Sequence, residues 1–305
     1  MPSDYIIQTE NLCRQFGKVR AVHNLSLNVP KGSVYGFLGP NGAGKTTTIK
    51  LLLGLTKPSS GSIRVLGQPA ASRNYLHRIG FLPDVPNFYP WMRGDEFLTF
   101  AGQLFSIPPA ELKKRSSELL EITGLKGVKT KIGGYSRGMK QRLGLAQALI
   151  NQPDLVFMDE PTSALDPIGR KEILETISLI SDRCTVFFST HILTDVERVC
   201  DRVGILKQGE LVTEETIEGL HKRFAKNAIR LEVTGDSGPF ISALKSKKWV
   251  QMVEQQNGSI LLTVFDLQTA QQEIPSLLSQ HNLGLCKLEQ VEMNLEDIFV
   301  RLVKP

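Results

Sequence analysis

Only four cysteines occur in 305 residues, Cys13, Cys184, Cys200 and Cys286, and no two of them form a C-x-x-C pair. That spacing argues against a zinc site and against a disulfide framework. It fits a reducing cytosol, with most of the thiols expected to be buried as small hydrophobes. No uninterrupted apolar stretch approaches the roughly 20 residues that a membrane-crossing helix requires, so the chain is not expected to span a bilayer by itself. The segment MPSDYIIQTENL has neither a basic n-region nor an apolar h-region, so no secretory signal is expected there. Large blocks of one charge are missing too. The formal charge is +5, yet the basic residues are dispersed, with clusters no longer than Lys113-Lys114-Arg115 or Lys245-Ser246-Lys247-Lys248. A solvated surface with a mild positive excess accounts for this, and no nucleic-acid partner is expected.

What is present is a 41% apolar content, enough for a sizeable core in one large domain and a smaller one. Residues 5–30 read as β segments, with Leu25, Leu27 and Val29 two apart as a half-buried strand requires. The apolar strand 33–38 runs into a glycine-rich loop and then a helix that stops at Gly54. Strands are predicted over 61–66 and 79–82. From about 86 to 152 the pattern changes to helices separated by Pro and Gly breaks. Strand and helix then alternate again from LVFMD to RVGILKQG, which argues for parallel βαβ units with helices on both faces of the sheet. Residues 1–220 are therefore expected to form one α/β domain with a helical subdomain at about 86–152. A basic helical connector follows, with 221–227 as the link. Residues 228–305 carry the order β-α-β-β-α-β, with a hairpin signal at Asn257-Gly258, and end on a short amphipathic helix. That is a small α+β, ferredoxin-like pattern.

The chemistry is concentrated in a few segments. Gly39, Pro40, Asn41, Gly42, Ala43, Gly44, Lys45 and Thr46 satisfy G-x-x-x-x-G-K-[ST] in full, between a predicted strand and a predicted helix. Glycines let the backbone curl so that successive N–H groups cradle phosphate oxygens, with the helix N-terminus adding its dipole. Lys45 then reaches the β- and γ-phosphates, Thr46 offers a hydroxyl to Mg²⁺, and Thr47 extends the nucleotide-binding run. Further on, the apolar strand LVFMD ends in Asp159 and Glu160. Two adjacent acids at the end of a buried strand call for a use, because an unpaired buried charge is costly. Asp159 fits the carboxylate that holds the metal, and Glu160 fits the group that polarises the attacking water.

With these motifs in place, residues 5–215 resemble the ATP-binding subunit of an ABC transporter, a P-loop NTPase with a helical subdomain. The family's signature reads Leu-Ser-Gly-Gly-Gln; here Tyr135-Ser136-Arg137-Gly138-Met139 keeps Ser136 and Gly138 and departs at the other three positions. The departures resemble a variant among bacterial exporter subunits, and the C-terminal module resembles the accessory extension that some of them carry. By the same resemblance Ser163-Ala164-Leu165-Asp166 is the D-loop, His191 is the switch histidine at the γ-phosphate, and Phe16 is the aromatic that stacks on adenine. Asp84 stands where the family has its Q-loop glutamine; a carboxylate there has a shorter reach and a different charge, and it is carried over as a metal-side residue. The stretch Asn87–Met92 corresponds to the region that docks the membrane subunit. The resemblance implies ATP and Mg²⁺ as cofactors, a second ATP-binding subunit, and a separate permease at the cytoplasmic face of the membrane, in an export system. The alternative is a soluble relative acting on DNA or ribosomes, although the coiled coils, zinc modules or paired nucleotide domains of those relatives have no counterpart here.

Overall fold

The computed structural model describes the chain apart from residues 1–3, 164, 225–227, 257, 291–294 and 304–305. The chain divides into two compact units, Met1–Ile217 and Glu218–Pro305. Asn257 of the expected hairpin signal, Ala164 of the D-loop segment and 225–227 of the expected connector fall outside the described residues.

The first unit holds two sheets. Strands β1 (Tyr5–Phe16), β2 (Val19–Pro30), β4 (Ser60–Val65) and β5 (Gln68–Pro69) form an antiparallel sheet in the order β2-β1-β4-β5. The other sheet has the order β10-β9-β3-β8-β7-β6, from β3 (Val34–Leu38), β6 (Ile79–Leu82), β7 (Leu155–Asp159), β8 (Thr185–Thr190), β9 (Arg202–Lys207) and β10 (Glu210–Thr216). Its pairs are parallel except for β9–β10. β3, β7 and β8 are buried at every position. Their near-continuous apolar runs are what a sheet covered on both faces demands. Tyr35, Phe37 and Phe157 pack around Phe187 in the centre of that core, with Tyr35 stacked on Phe187 at a centroid distance of 5.4 Å.

The helices of this unit are α1 (Lys45–Leu52), α2 (Gly94–Gln103), α3 (Pro109–Ile122), α4 (Arg137–Leu149), α5 (Pro167–Ser181) and α6 (Leu193–Val199). α5 and α6 are tied to the segment after β7 by one buried carboxylate. Asp195 on α6 accepts hydrogen bonds from Thr162 Oγ1 and from Arg170 Nε of α5, each at 2.5 Å, and is itself fully buried. Removing one partner of such a pair leaves the others unsatisfied. Asp195→Ala is accordingly expected to lower unfolding free energy by about 3 kcal/mol, read by urea denaturation; an unchanged midpoint and slope would show that the network adds nothing.

The second unit takes in α7 (Ile217–Phe224) from Glu218 on, then β11 (Ala228–Thr234), α8 (Gly238–Lys245), β12 (Val250–Gln256), β13 (Ser259–Val264), α9 (Leu267–Gln280), β14 (Gly284–Gln290) and α10 (Leu295–Val303). Its sheet is wholly antiparallel in the order β12-β13-β11-β14. Counted within the unit that is 2-3-1-4, the ferredoxin-like arrangement. Phe240 and Leu244 of α8 and Ile274, Leu277 and Leu278 of α9 pack with Ile229, Leu231, Ile260 and Leu262 of the strands.

The expectation of mostly buried thiols needs correction. Cys184 and Cys200 are buried, and burial pushes the Cys184 thiol up to about 11. Cys13, however, is only half-buried, and Cys286 is exposed on β14, an edge strand with little to cover it.

Candidate nucleotide site

The site lies where four loops leave the carboxyl ends of neighbouring parallel strands, the place where open α/β sheets bind ligands. The loop after β3 is the glycine-rich segment. Gly44 precedes α1 with φ at +105°, and a Cβ there would sit 2.3 Å from the carbonyl oxygen of Ala21. A Cβ on Gly39 would lie 2.5 Å from the carbonyl oxygen of Leu206. Only glycine fits either position, and the curl is closed by Ala43 N donating to Pro40 O at 3.1 Å. No side chain caps the start of α1, so its first amides are left for an anion.

Lys45 is buried. Its Nζ donates to the carbonyls of Gly39 at 2.7 Å and Pro40 at 3.3 Å, and it pairs with Glu160 Oε1 at 3.1 Å. The other oxygen of Glu160, Oε2, is 2.9 Å from His191 Nδ1. Glu160 therefore bridges the loop after β3 to the loop after β8. Its φ is +48°, in the left-handed region, so the chain turns sharply after Asp159 and the two acids diverge. Asp159 Oδ1 accepts from Thr46 Oγ1 at 3.1 Å and from Ser189 Oγ at 2.5 Å. The fourth loop, after β6, brings Asp84, whose Oδ1 accepts from Ser163 Oγ at 3.2 Å and lies 3.9 Å from Arg137.

A cleft of about 450 Å³ is lined by residues 41–47 of the glycine-rich loop and the start of α1, by Asp84, Glu160, Ser163 and His191 of the other loops, and by Val19, Arg20 and Ala21. Thr46 of the lining and Asp159 just behind it bring a hydroxyl and a carboxylate oxygen to 3.1 Å, hard donors of the kind Mg²⁺ prefers. Among the described residues no cluster of three or more His, Cys, Asp or Glu could hold a metal by itself. Mg²⁺ bound mainly by substrate phosphates needs no such cage.

The family model described as ABC transporter matches residues 22–163, and a second, described as ATP-binding protein DrrA1-3-like, C-terminal domain, matches 216–303. The bacitracin transport ATP-binding protein BcrA of Bacillus licheniformis is 38% identical over 303 residues, 98% of this chain and 97% of the relative. This chain belongs to the ABC transporter ATP-binding proteins. The linearmycin resistance ATP-binding protein LnrL of Bacillus subtilis is 36% identical over 309 residues, covering 97% of this chain and 98% of that protein. A solved ATP-binding subunit of an ABC transporter superposes with a TM-score of 0.65 at 28% identity, over 72% of this chain and 93% of its own. As an ABC ATPase, the chain binds and hydrolyses ATP.

Not all of the residues picked out from the sequence of this ABC ATPase line the cleft. Gly39, Pro40 and Asp159 lie behind its lining, touching it through Lys45 and Thr46. Phe16 is exposed at the end of β1, with the Arg14 guanidinium 4.2 Å above its ring centroid. Ser136 caps α4, its Oγ accepting from Met139 N at 3.1 Å, and Gly138 follows in the first turn. Asp166 caps α5, accepting from Gly169 N at 3.1 Å. None of these last four residues lines the cleft. Conversely, Ser163 of the segment that resembles the D-loop does line the cleft, and Ser189, which no motif marks in the sequence, holds Asp159 from behind it. The clue to Ser189 is a hydroxyl inside the buried run VFFS, where a polar group must find a partner.

Proposed function

We propose that this ATPase powers a separate membrane permease in an export system, working as a dimer of two ATP-binding chains bound peripherally at the cytoplasmic face. The observation that carries the reading is the split between the cleft and Ser136. One chain gathers the phosphate loop, Asp84, Glu160 and His191 around one space, while the capped helix of Ser136 and Gly138 stands outside it. A second chain, presenting Ser136, Gly138 and Asp166, would complete the site. In this reading 1–220 is the ATP-binding domain and 228–305 an accessory domain.

Residues 39–47 hold the ATP phosphates and Phe16 stacks on the base. Thr46 and Asp159 would hold Mg²⁺, with Asp84 on the same side; the ion's contribution is to neutralise phosphate charge. The γ-phosphate competes with Glu160 for Lys45. Once released from that ion pair, the Glu160 carboxylate accepts the proton of the attacking water, while His191 keeps it aimed. Export as the direction is supported by the relatives named for bacitracin transport and linearmycin resistance. The dispersed basic residues support no role on nucleic acid.

For the permease contact, Tyr89 and Trp91 are exposed, 5.2 Å apart, and Tyr89 lies 5.9 Å from Phe100 on α2. Phe88 anchors the segment by its edge-to-face contact with Phe97 at 4.9 Å. Exposed, pre-packed aromatics are the composition of a protein-binding surface. Tyr89→Asp with Trp91→Asp is expected to release the protein from membranes that contain its co-purifying permease, while ATP hydrolysis by the soluble protein persists. Sedimentation with membranes that is indifferent to both substitutions and to the permease would overturn this reading.

A further inference from the structure

Ser189 is the penultimate residue of β8 and is completely buried. The parallel register places it directly beside Asp159 at the end of β7. Its hydroxyl donates to Asp159 Oδ1 at 2.5 Å and, through a lone pair, accepts the backbone N–H of Glu160 at 3.2 Å. The carbonyl oxygen of Ser189 receives the same N–H at 3.1 Å. One residue thus grips both acids, the first by its side chain and the second by its backbone.

The grip falls where the backbone most needs it. Glu160 has a side chain yet sits at φ +48°, a state that non-glycine residues seldom occupy unless neighbours enforce it. That turn aims its carboxylate at Lys45 and His191 instead of along the strand. Asp159 is fixed from two sides on one oxygen, by Thr46 from the phosphate loop and by Ser189 from β8. Two residues beyond Ser189 comes His191, the partner of the Glu160 carboxylate. The end of β8 therefore orients the whole acidic pair.

We infer that Ser189 is a positioning residue for ATP hydrolysis: its hydroxyl sets the direction of the Asp159 carboxylate and holds the Glu160 turn. This rests on the reading of Asp159 as a Mg²⁺-side group and Glu160 as the group that takes the water proton. Residues that orient groups of this kind commonly change metal affinity or activity by about 10- to 100-fold when removed.

The test compares Ser189→Ala with Ser189→Thr, which keeps the hydroxyl, and Ser189→Cys, which keeps the size with a weak donor. Four quantities are read: kcat, KM for ATP, the ATP dissociation constant in EDTA, and the Mg²⁺ concentration giving half of the thermal shift induced by a non-hydrolysable ATP analogue. For Ser189→Ala, kcat is expected to fall about 10- to 100-fold and the Mg²⁺ requirement to rise about tenfold. ATP binding in EDTA should stay within about twofold, since the phosphate loop is untouched. Ser189→Thr should recover most of kcat, and Ser189→Cys should fall between. Wild-type kcat and Mg²⁺ requirement in Ser189→Ala would overturn the inference. So would a loss of metal-free ATP binding and thermal stability with no change in the Mg²⁺ requirement, the mark of a purely structural serine. If the alanine variant does not fold, Ser189→Cys against Ser189→Thr decides on the same quantities. Glu160→Gln measured alongside separates the two levels: wild-type turnover there would sink the underlying assignment, whereas an inactive Glu160→Gln beside a normal Ser189→Ala would sink this inference alone.

Discussion

Glu160→Gln is expected to lower steady-state ATP turnover by about 1,000-fold while ATP affinity stays within about twofold of wild type. The substitution keeps size and removes charge and proton affinity, so nothing remains at that position to take a proton from water. Binding should survive because the phosphate loop is built independently of Glu160. Its curl is held by Ala43 N to Pro40 O, and Lys45 keeps its contacts with Gly39 and Pro40. Losing the Lys45–Glu160 ion pair, in fact, frees Lys45 for phosphate. Radiolabelled phosphate release and equilibrium binding measure the two quantities. Turnover within tenfold of wild type would remove Glu160 from the chemistry.

Ser136→Arg is expected to cut turnover by about 100-fold or more, again with ATP binding by the single chain retained. Ser136 lies outside the cleft of its own chain, so bulk and charge added there leave that cleft unchanged. In the proposed dimer the same arginine would intrude on the neighbour's nucleotide. The serine also caps α4, and losing a cap costs about 1 kcal/mol of helix stability. Ser136→Ala loses that cap equally without the bulk, so any difference in turnover between the two variants reads the intrusion alone. Parallel loss of binding and turnover in Ser136→Arg would place the serine in its own chain's site.

The legible parts of this site are those whose chemistry fixes residue type and spacing together. The loop 39–46 can be read because glycine is the only residue that avoids Ala21 O and Leu206 O, and because a lysine and a hydroxyl must follow at set distances. Asp159 and Glu160 stand out because acids rarely end a run such as LVFMD. Ser189 carries only a weak mark, its lone hydroxyl in an apolar strand, because an ordinary buried strand contains such a hydroxyl too. The Asp195–Thr162–Arg170 network was equally hidden, because its members come from three segments that only the tertiary fold brings together.

Fold topology shows the same division. Most strand positions were readable, from alternation in β2 and from continuous apolar runs in β3, β7 and β8, but partnership was not. Nothing in β1 announces that it pairs with β2 and β4 in a separate antiparallel sheet. β10 escaped notice altogether: ELVTEET is charged and only partly buried, and it is held as an antiparallel edge by β9. Its Glu214 accepts hydrogen bonds from Tyr35 Oη at 3.0 Å and Asn28 N at 3.2 Å, and burial raises the carboxyl above its usual range.

A mixing experiment tests most directly whether two chains share each ATP site. Purified Ser136→Arg and Glu160→Gln chains, each inactive alone, are combined with ATP and Mg²⁺, and a single round of phosphate release is followed. In a shared arrangement the mixed dimer contains one site with an intact Glu160 from one chain and an intact Ser136 from the other, so phosphate release is predicted to reappear on mixing. If each chain instead completes its own site, every site in the mixture carries a defect. Absence of phosphate release, with mixed dimers verified by pull-down of differently tagged chains, would contradict the shared site.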